Sequence, residues 1–124
     1  MEDATIFVVD DDEAVRASLR LLLEAHGLRV EDFASTEAFV DAYRPQGREC
    51  LVLDQHIQGG VTGLDFLASG TPARLRLPVI LVTGRGDDVL RAHALRAGAA
   101  AYLEKPCDEG ELIAAIGAAV GGVR

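Results

Sequence analysis

Three aspartates, Asp10, Asp11 and Asp12, directly follow a short apolar run near the start of the chain, and Asp54 ends another such run. Neighbouring carboxylates repel one another, so at least one pKa must rise unless a cation lies between them. Carboxylates, carbonyls and water are the ligands that Mg²⁺ prefers. Asp10, Asp11 and Asp54 therefore predict a divalent-cation site, provided that the fold brings them together.

Two further polar residues follow apolar runs later in the chain. Thr83 ends the run VILVT, and Lys105 follows AAAYLE. A carboxylate beside a bound dication and an ammonium can attack a phosphoryl group, because the cations offset the charge on the transferring oxygens. The Thr83 hydroxyl can donate a hydrogen bond to one of those oxygens. These residue types predict phosphoryl chemistry on a carboxylate.

Five apolar runs of strand length alternate with stretches of helical periodicity. The runs are rich in Val, Ile and Leu without polar alternation, which favours parallel strands covered on both faces. They are Thr5–Val9, Leu28–Phe33, Cys50–Leu53, Val79–Val82 and Ala99–Leu103. Helices are predicted from Asp12 to Gly27, from the N-cap Ser35 to Pro45, over 63–69, over 88–97, and across Leu112–Val120. This alternation predicts one α/β domain with an open parallel sheet and helices on both faces.

The order of the strands decides whether the polar residues meet. Ligands of such sheets bind at the carboxyl ends of the strands, where the strand order reverses. With the order 2-1-3-4-5, Asp10, Asp11 and Asp54 share one cleft, and Thr83 and Lys105 close its other side. The order 3-2-1-4-5 would separate the first carboxylates from Asp54. The distribution of polar residues favours the first order.

Charge and composition exclude several classes of protein. The 124 residues carry a formal net charge of −8, which argues against direct nucleic-acid binding by this segment. No apolar stretch has the length of a membrane span, and the first residues, MEDATIF, lack the basic region of a secretory signal. Cys50 and Cys107 are expected to stay reduced, so we expect a cytoplasmic protein.

Four short segments resemble, in this order, the receiver domain of two-component response regulators: VDD at 9–11, LD at 53–54, VTG at 82–84 and KP at 105–106. The resemblance covers nearly the whole chain, and VTGRGD and AGAAAYLEKP are similar to receivers of the FixJ/NarL type. It implies a flavodoxin-like (βα)5 doubly wound parallel sheet. It also implies that residues 1–124 form a single receiver domain, which in a longer regulator would precede an output domain.

The resemblance implies a role for each polar residue. Asp54 would accept a phosphoryl group from a sensor histidine kinase, and Lys105 would pair with a phosphoryl oxygen. Asp11 would bind Mg²⁺ directly and Asp10 through water. Asp54 and the backbone carbonyl of His56 would complete the metal ligands. Because transfer and dephosphorylation would be self-catalysed, the domain would not be an enzyme in the usual sense.

Thr83 and Tyr102 would form a conformational switch in such a receiver. The threonine hydroxyl would move towards the phosphoryl group, and the tyrosine ring would turn inward. The face made by the fourth predicted helix, the fifth strand and the fifth predicted helix would then pair two phosphorylated copies. A sensor histidine kinase and a second copy are thus the expected partners, with transcription regulation as the expected output.

Three positions differ from the family pattern. The segment DQHIQGGVTG places Gly63 one residue late and contains Gly59-Gly60, which predicts a mobile loop and weaker Mg²⁺ binding. His56 flanks the phosphorylation site; its imidazole either makes dephosphorylation pH-dependent or lies in solvent while only its carbonyl takes part. Cys107 stands where the family usually has Phe, which predicts looser packing at the start of the last helix.

Two other functions fit parts of the pattern. Asp10-x-Asp12 resembles the nucleophile motif of haloacid-dehalogenase-type phosphatases, but those proteins have a longer chain, and their motif has Thr where Glu13 and Ala14 stand here. An FMN carrier would need amides and hydroxyls after the first strand rather than carboxylates. Asp12 and Glu13 are better explained as the start of a helix, where carboxylates complement the dipole.

Overall fold

The computed structural model describes residues 3–57 and 61–121. The strands are β1 (Thr5–Val9), β2 (Arg29–Phe33), β3 (Glu49–Asp54), β4 (Val79–Thr83) and β5 (Ala101–Glu104). The helices are α1 (Glu13–Ala25), α2 (Thr36–Ala42), α3 (Gly63–Ala68), α4 (Thr71–Leu75), α5 (Asp88–Arg96) and α6 (Glu109–Gly121). None of the helices in these ranges is long and apolar enough to cross a membrane.

The five strands form one parallel sheet in the order β2-β1-β3-β4-β5, which confirms the predicted order. Val9 at the end of β1 is in register with Leu53 of β3. Asp10 and Asp54 directly follow these two residues in the chain. The two carboxylates therefore leave neighbouring strands at the same level, on the carboxyl edge of the sheet.

Both faces of the sheet are covered, which explains the uninterrupted apolar runs. Alternate residues of β1 point to opposite faces, since successive side chains in a strand do so. Ile6 and Val8 pack into a core under α1 and α6, while Phe7 and Val9 pack into a core under α2, α3 and α5. The rings of Phe7 and Phe39 meet edge to face at 5.3 Å in the second core.

Most strand limits agree with those predicted to within one residue, but β5 starts later and one helix is additional. β5 begins at Ala101 rather than Ala99, because Gly98 adopts φ +104° and the Ala99 N–H bonds back to the carbonyl of Ala94. Ala99 thus closes the end of α5, whereas the Ala100 N–H already donates to the Val79 carbonyl of β4 at 2.7 Å. Helix α4 is an addition that the periodicity did not predict.

Candidate functional site

Asp10, Asp11 and Asp54 meet at the carboxyl edge of the sheet. A carboxylate oxygen from each lies within 4.8 Å of those from the other two. Asp10 and Asp54 are 3% and 6% exposed, and Asp11 is half-buried. The prediction that the fold brings these three residues together is confirmed, and we call them the acid cluster. Their number, spacing and chemistry fit a hard dication such as Mg²⁺.

Lys105 provides the cation that faces the acid cluster. Its Nζ lies 3.0 Å from Asp10 Oδ2 and 3.1 Å from Asp54 Oδ1. Its backbone N–H donates to the carbonyl of Thr83 at 2.8 Å, and its peptide bond to Pro106 is cis. The backbone is thus fixed beside β4, while the long side chain reaches across that strand to β3 and β1.

Burial and charge perturb the titration of this group of residues. Burial raises the pKa of Asp54, and the neighbouring Asp10 raises it further; the bond from Lys105 and a backbone N–H of His56 oppose this without cancelling it. Burial lowers the pKa of Lys105, but its bonds to Asp10 and Asp54 outweigh burial, so the pKa is raised. Lys105 thus pairs with two of the three carboxylates of the acid cluster.

Asp12 lies outside the acid cluster, as predicted. Its side chain caps α1 by accepting from the backbone N–H groups of Ala14 and Val15. Its own N–H donates to Asp10 Oδ1 at 2.9 Å, so the cap also orients a carboxylate of the site. Because Asp12 is bound to its own helix, the structure offers no support for it as the general acid of a phosphatase.

Arg16 is a positioning residue that the sequence pattern did not indicate. Its guanidinium donates to the backbone carbonyl of Asp10 at 2.8 Å and also lies 3.7 Å from Asp32. The turn between β1 and α1 is thereby held from the α1 side. The only sequence signal is a basic residue one turn into a helix that follows three acids.

Residues 6–117 match the family model described as the response regulator receiver domain. The chain belongs to this family. The receiver is 42% identical over 120 residues to the transcriptional regulatory protein FixJ of Azorhizobium caulinodans, covering 97% of the chain and 56% of that protein. It is 36% identical to nodulation protein W of Bradyrhizobium diazoefficiens, covering 94% of the chain and 51% of that protein. It spans about half the length of these curated relatives.

Solved structures agree with this assignment. The crystal structure of FixJ-N matches the receiver with a TM-score of 0.83 and 32% identity, covering 100% of the receiver and 98% of that chain. The response regulator StyR matches with a TM-score of 0.85 and 36% identity, covering 96% of the receiver and 60% of that chain. These matches confirm the flavodoxin-like fold.

Gly63 of the receiver packs directly against the backbone that carries Asp54. A Cβ at this position would lie 2.5 Å from the carbonyl oxygen of Asp54 and 2.7 Å from Leu81 Cδ1, so only glycine fits. The Gly63 N–H donates to the carbonyl of Gln55 at 3.0 Å. Although Gly63 comes one residue late in the sequence, it still makes this close approach.

Gln55 ties the loop after β3 to the start of α3, a function the sequence did not reveal. Its buried Oε1 accepts from the Leu64 N–H at 2.7 Å, next to the backbone bond to Gly63. The His56 side chain beyond it is exposed. Gly59-Gly60, the basis for predicting a mobile loop and weaker Mg²⁺ binding, lies outside the described residues.

Thr83 and Tyr102 are both buried. The Thr83 hydroxyl oxygen accepts from the Arg85 N–H at 3.1 Å. The Tyr102 ring lies inward, 6% exposed, with the Arg91 guanidinium 5.6 Å from its centroid. Its hydroxyl is buried beside the backbone of Asp87. Burial, and then the charge of nearby Glu104, raise the pKa of Tyr102.

The inward ring of Tyr102 depends on Gly86. A Cβ at residue 86 would overlap the hydroxyl oxygen of Tyr102 and a carboxylate oxygen of Glu104, and it would lie 2.9 Å from the ring carbon Cζ. The absence of a side chain at this position thus makes room for the ring. The sequence VTGRGD contains this glycine, but the spacing alone does not indicate which side chain it accommodates.

Proposed function

We propose that this receiver is the phosphoacceptor domain of a two-component response regulator and that Asp54 takes a phosphoryl group from a sensor histidine kinase. The observation that carries the proposal is the position of Asp54: its carboxylate is 3.1 Å from an ammonium and within 4.8 Å of two further acids. An opening of about 430 Å³, lined by Asp54, His56, Gly84, Arg85 and Lys105, leads from solvent to this carboxylate.

In the proposed reaction an Asp54 carboxylate oxygen attacks the phosphorus atom, and the bond from phosphorus to the donor's histidine nitrogen breaks. Lys105 holds Asp54 in place and offsets negative charge on a phosphoryl oxygen. The nucleophile must be ionised, which the raised pKa of Asp54 opposes until a cation joins the acid cluster. The domain thus promotes its own phosphorylation and dephosphorylation, and acts as a signalling module rather than an enzyme in the usual sense.

Mg²⁺ is the cofactor that these residues fit. Asp11 would bind it directly and Asp10 through water, with Asp54 and the His56 backbone carbonyl as further ligands. When bound, the ion offsets charge on the phosphoryl oxygens. The exposed position of the His56 imidazole supports a contribution through its carbonyl alone.

Thr83 and Tyr102 form the proposed switch. The Thr83 hydroxyl would leave the Arg85 amide to donate to a phosphoryl oxygen, and the loop between β4 and α5 would follow it. That loop contains Gly86, against which the Tyr102 ring packs. The exposed side chains of Val89 and Leu95 on α5 support an output face of α5, β5 and α6 that pairs two phosphorylated copies.

The relatives suggest the wider setting of the receiver. Several are named as transcriptional regulators, and each is about twice as long as this chain. We therefore assign residues 1–124 to one receiver domain of a regulator with an output domain that acts on transcription. Both cysteines are free thiols, which supports the reducing cytoplasm as its compartment.

Phosphate-affinity electrophoresis with acetyl phosphate and Mg²⁺ tests the proposed acceptor. The wild type should show a retarded band that needs Mg²⁺, and Asp54→Asn should not. Asp12→Asn is the matched control, because it removes a neighbouring carboxylate charge outside the acid cluster, while asparagine can still cap α1 and the backbone N–H bond to Asp10 stays. A retarded band that persists in Asp54→Asn, or an acyl adduct located by mass spectrometry on another residue, would contradict the proposal.

A further inference from the structure

A cavity of about 560 Å³ lies beside the acid cluster, between α1 and the connection from β5 to α6. Its walls are mostly apolar: Val15, Leu19 and Leu22 line it from α1, and Cys107 and Leu112 line it from the other side. Its volume is within the range of cavities that bind small molecules, roughly 300–1,000 Å³. The phosphoryl chemistry proposed above does not use this space.

The packing of α6 explains why the cavity is open. Glu109, in the first turn of α6, contacts His26 at the end of α1, with 3.0 Å between Oε2 and Nε2. The start of α6 thus lies near the C-terminal end of α1, while the buried Leu112, Ile116 and Val120 dock the helix. The space beside the N-terminal half of α1 is bordered instead by the small side chain of Cys107, which is only half-buried. The looser packing predicted from this cysteine is located here.

One end of the cavity is negatively charged. Asp10 and Asp54 line it together with Lys105, so two carboxylates face one ammonium. An anionic ligand would be repelled from this end, whereas an ammonium would be attracted and can donate hydrogen bonds to the carboxylates. Apolar walls with an anionic end suit an amphiphilic cation.

We propose that this cavity binds a small amphiphilic amine, with its hydrocarbon part against Leu19, Leu22 and Cys107 and its ammonium beside Asp10 and Asp54. Burial of the hydrocarbon part supplies most of the binding free energy. The carboxylates of Asp10 and Asp54 make the cavity favour a cationic ligand over a neutral or anionic one. A consequence that rests on the proposed function is competition: the amine and Mg²⁺ would use the same carboxylates, so the amine would slow phosphorylation of Asp54.

Cys107 reports on occupancy of the cavity without any assay of phosphorylation. It lines the cavity, whereas Cys50 is fully buried. The rate at which iodoacetamide alkylates Cys107 is measured by mass spectrometry in metal-free buffer at constant pH, with n-pentylamine, n-pentanol or n-pentanoate as the probe. Pentylamine should slow alkylation in a saturable manner, and pentanoate should not. Each added methylene should lower the half-protecting concentration about three- to fourfold, until the cavity is full.

Two results would overturn the proposal: no protection by pentylamine and its longer homologues, or equal protection by pentanoate.

Substitutions that fill the cavity provide a second test, in which pentylamine binding is measured from the amide chemical shifts of α1 in NMR spectra. Cys107→Phe should weaken pentylamine binding at least tenfold, while Cys107→Ala should retain it. If Cys107→Phe does not fold, Ser18→Phe fills the cavity from α1. Unchanged binding in a folded, filled variant would also overturn the proposal. Because these assays contain neither Mg²⁺ nor phosphate, their outcome is independent of whether Asp54 is the phosphoacceptor.

Discussion

The Lys105 ammonium lies 3.0 Å from Asp10 Oδ2, although 95 residues separate the two in the chain. The same ammonium is 3.1 Å from Asp54. One cation therefore holds together two buried carboxylates from adjacent strands, and it is the only lysine in a sequence whose other basic side chains are arginine and histidine. Four predictions follow from the contacts around this group and around the neighbouring glycines.

Removing the ammonium should destabilise the metal-free protein. In Lys105→Met the carboxylates of Asp10 and Asp54 lose their shared partner, so the free energy of unfolding at neutral pH should fall by roughly 1–3 kcal/mol. Guanidinium denaturation without Mg²⁺ measures this. Arg48→Met is the control, since it breaks an exposed ion pair to Asp3 and should cost under about 1 kcal/mol. Equal effects of the two substitutions would contradict the prediction.

The raised pKa of Asp54 predicts how stability depends on pH. Because the folded state binds this proton more tightly than the unfolded state, its contribution to stability is complete below the ordinary pKa of 3.8 and is lost as pH rises through the folded value. Metal-free Asp54→Asn should therefore gain stability relative to wild type as pH rises towards neutrality. Denaturation curves over a pH series, with exposed Asp41→Asn as control, measure this difference. A stability difference between variant and wild type that does not shift in favour of the variant as pH rises would refute it.

Gly63→Ala should distort the backbone under Asp54. The added Cβ would lie 2.5 Å from the Asp54 carbonyl oxygen, which overpacks the site and should lower the free energy of unfolding by roughly 1–3 kcal/mol. Phosphorylation by acetyl phosphate should slow as well. Gly84→Ala is the stability control, because a Cβ there meets nothing within 4 Å and should change stability by less than about 0.5 kcal/mol. A fully stable Gly63→Ala would show that the close approach is absent in solution.

Gly86→Ala should drive the Tyr102 ring outward, because the new methyl group would overlap the ring hydroxyl. Incorporation of 3-fluorotyrosine gives one ¹⁹F resonance for each of Tyr43 and Tyr102. The Tyr102 resonance should move towards the value of a solvent-exposed ring, and the Tyr43 resonance should stay. Tyr102→Phe in the Gly86→Ala background should recover part of the stability that Gly86→Ala loses, since it removes the overlapping oxygen. An unmoved Tyr102 resonance would disprove the displacement.

The sheet and the acid cluster could be predicted because both depend on simple patterns. The positions of apolar runs fix which residue ends each strand, and parallel strands place those ends on one edge. Asp10 and Asp54 follow directly from this rule. Asp12 was likewise recognisable, since a helix cap favours particular residue types.

Other features could not be predicted because they depend on contacts between distant segments. Helix α4 has only five residues, too few for periodicity to be visible, and begins after Gly70 at φ +86°. The bonds from Arg16 to the Asp10 carbonyl and from Leu64 to the Gln55 side chain become evident only when the tertiary structure is known. The cavity beside α1 likewise reflects where α6 docks through its buried side chains Leu112, Ile116 and Val120, which only the tertiary structure shows.

The contact between Gly63 and the Asp54 carbonyl has a consequence for how this segment tolerates changes in length. Gln55 and Gly63 are joined by a backbone bond, so we expect an additional residue between them to leave the spacing of these two residues unchanged. Insertions and deletions in this segment should leave the geometry of Asp54 intact as long as glycine occupies the position of Gly63. The segment between Gln55 and Gly63 can thus vary in length, whereas Gly63 itself cannot be replaced by a residue with a side chain.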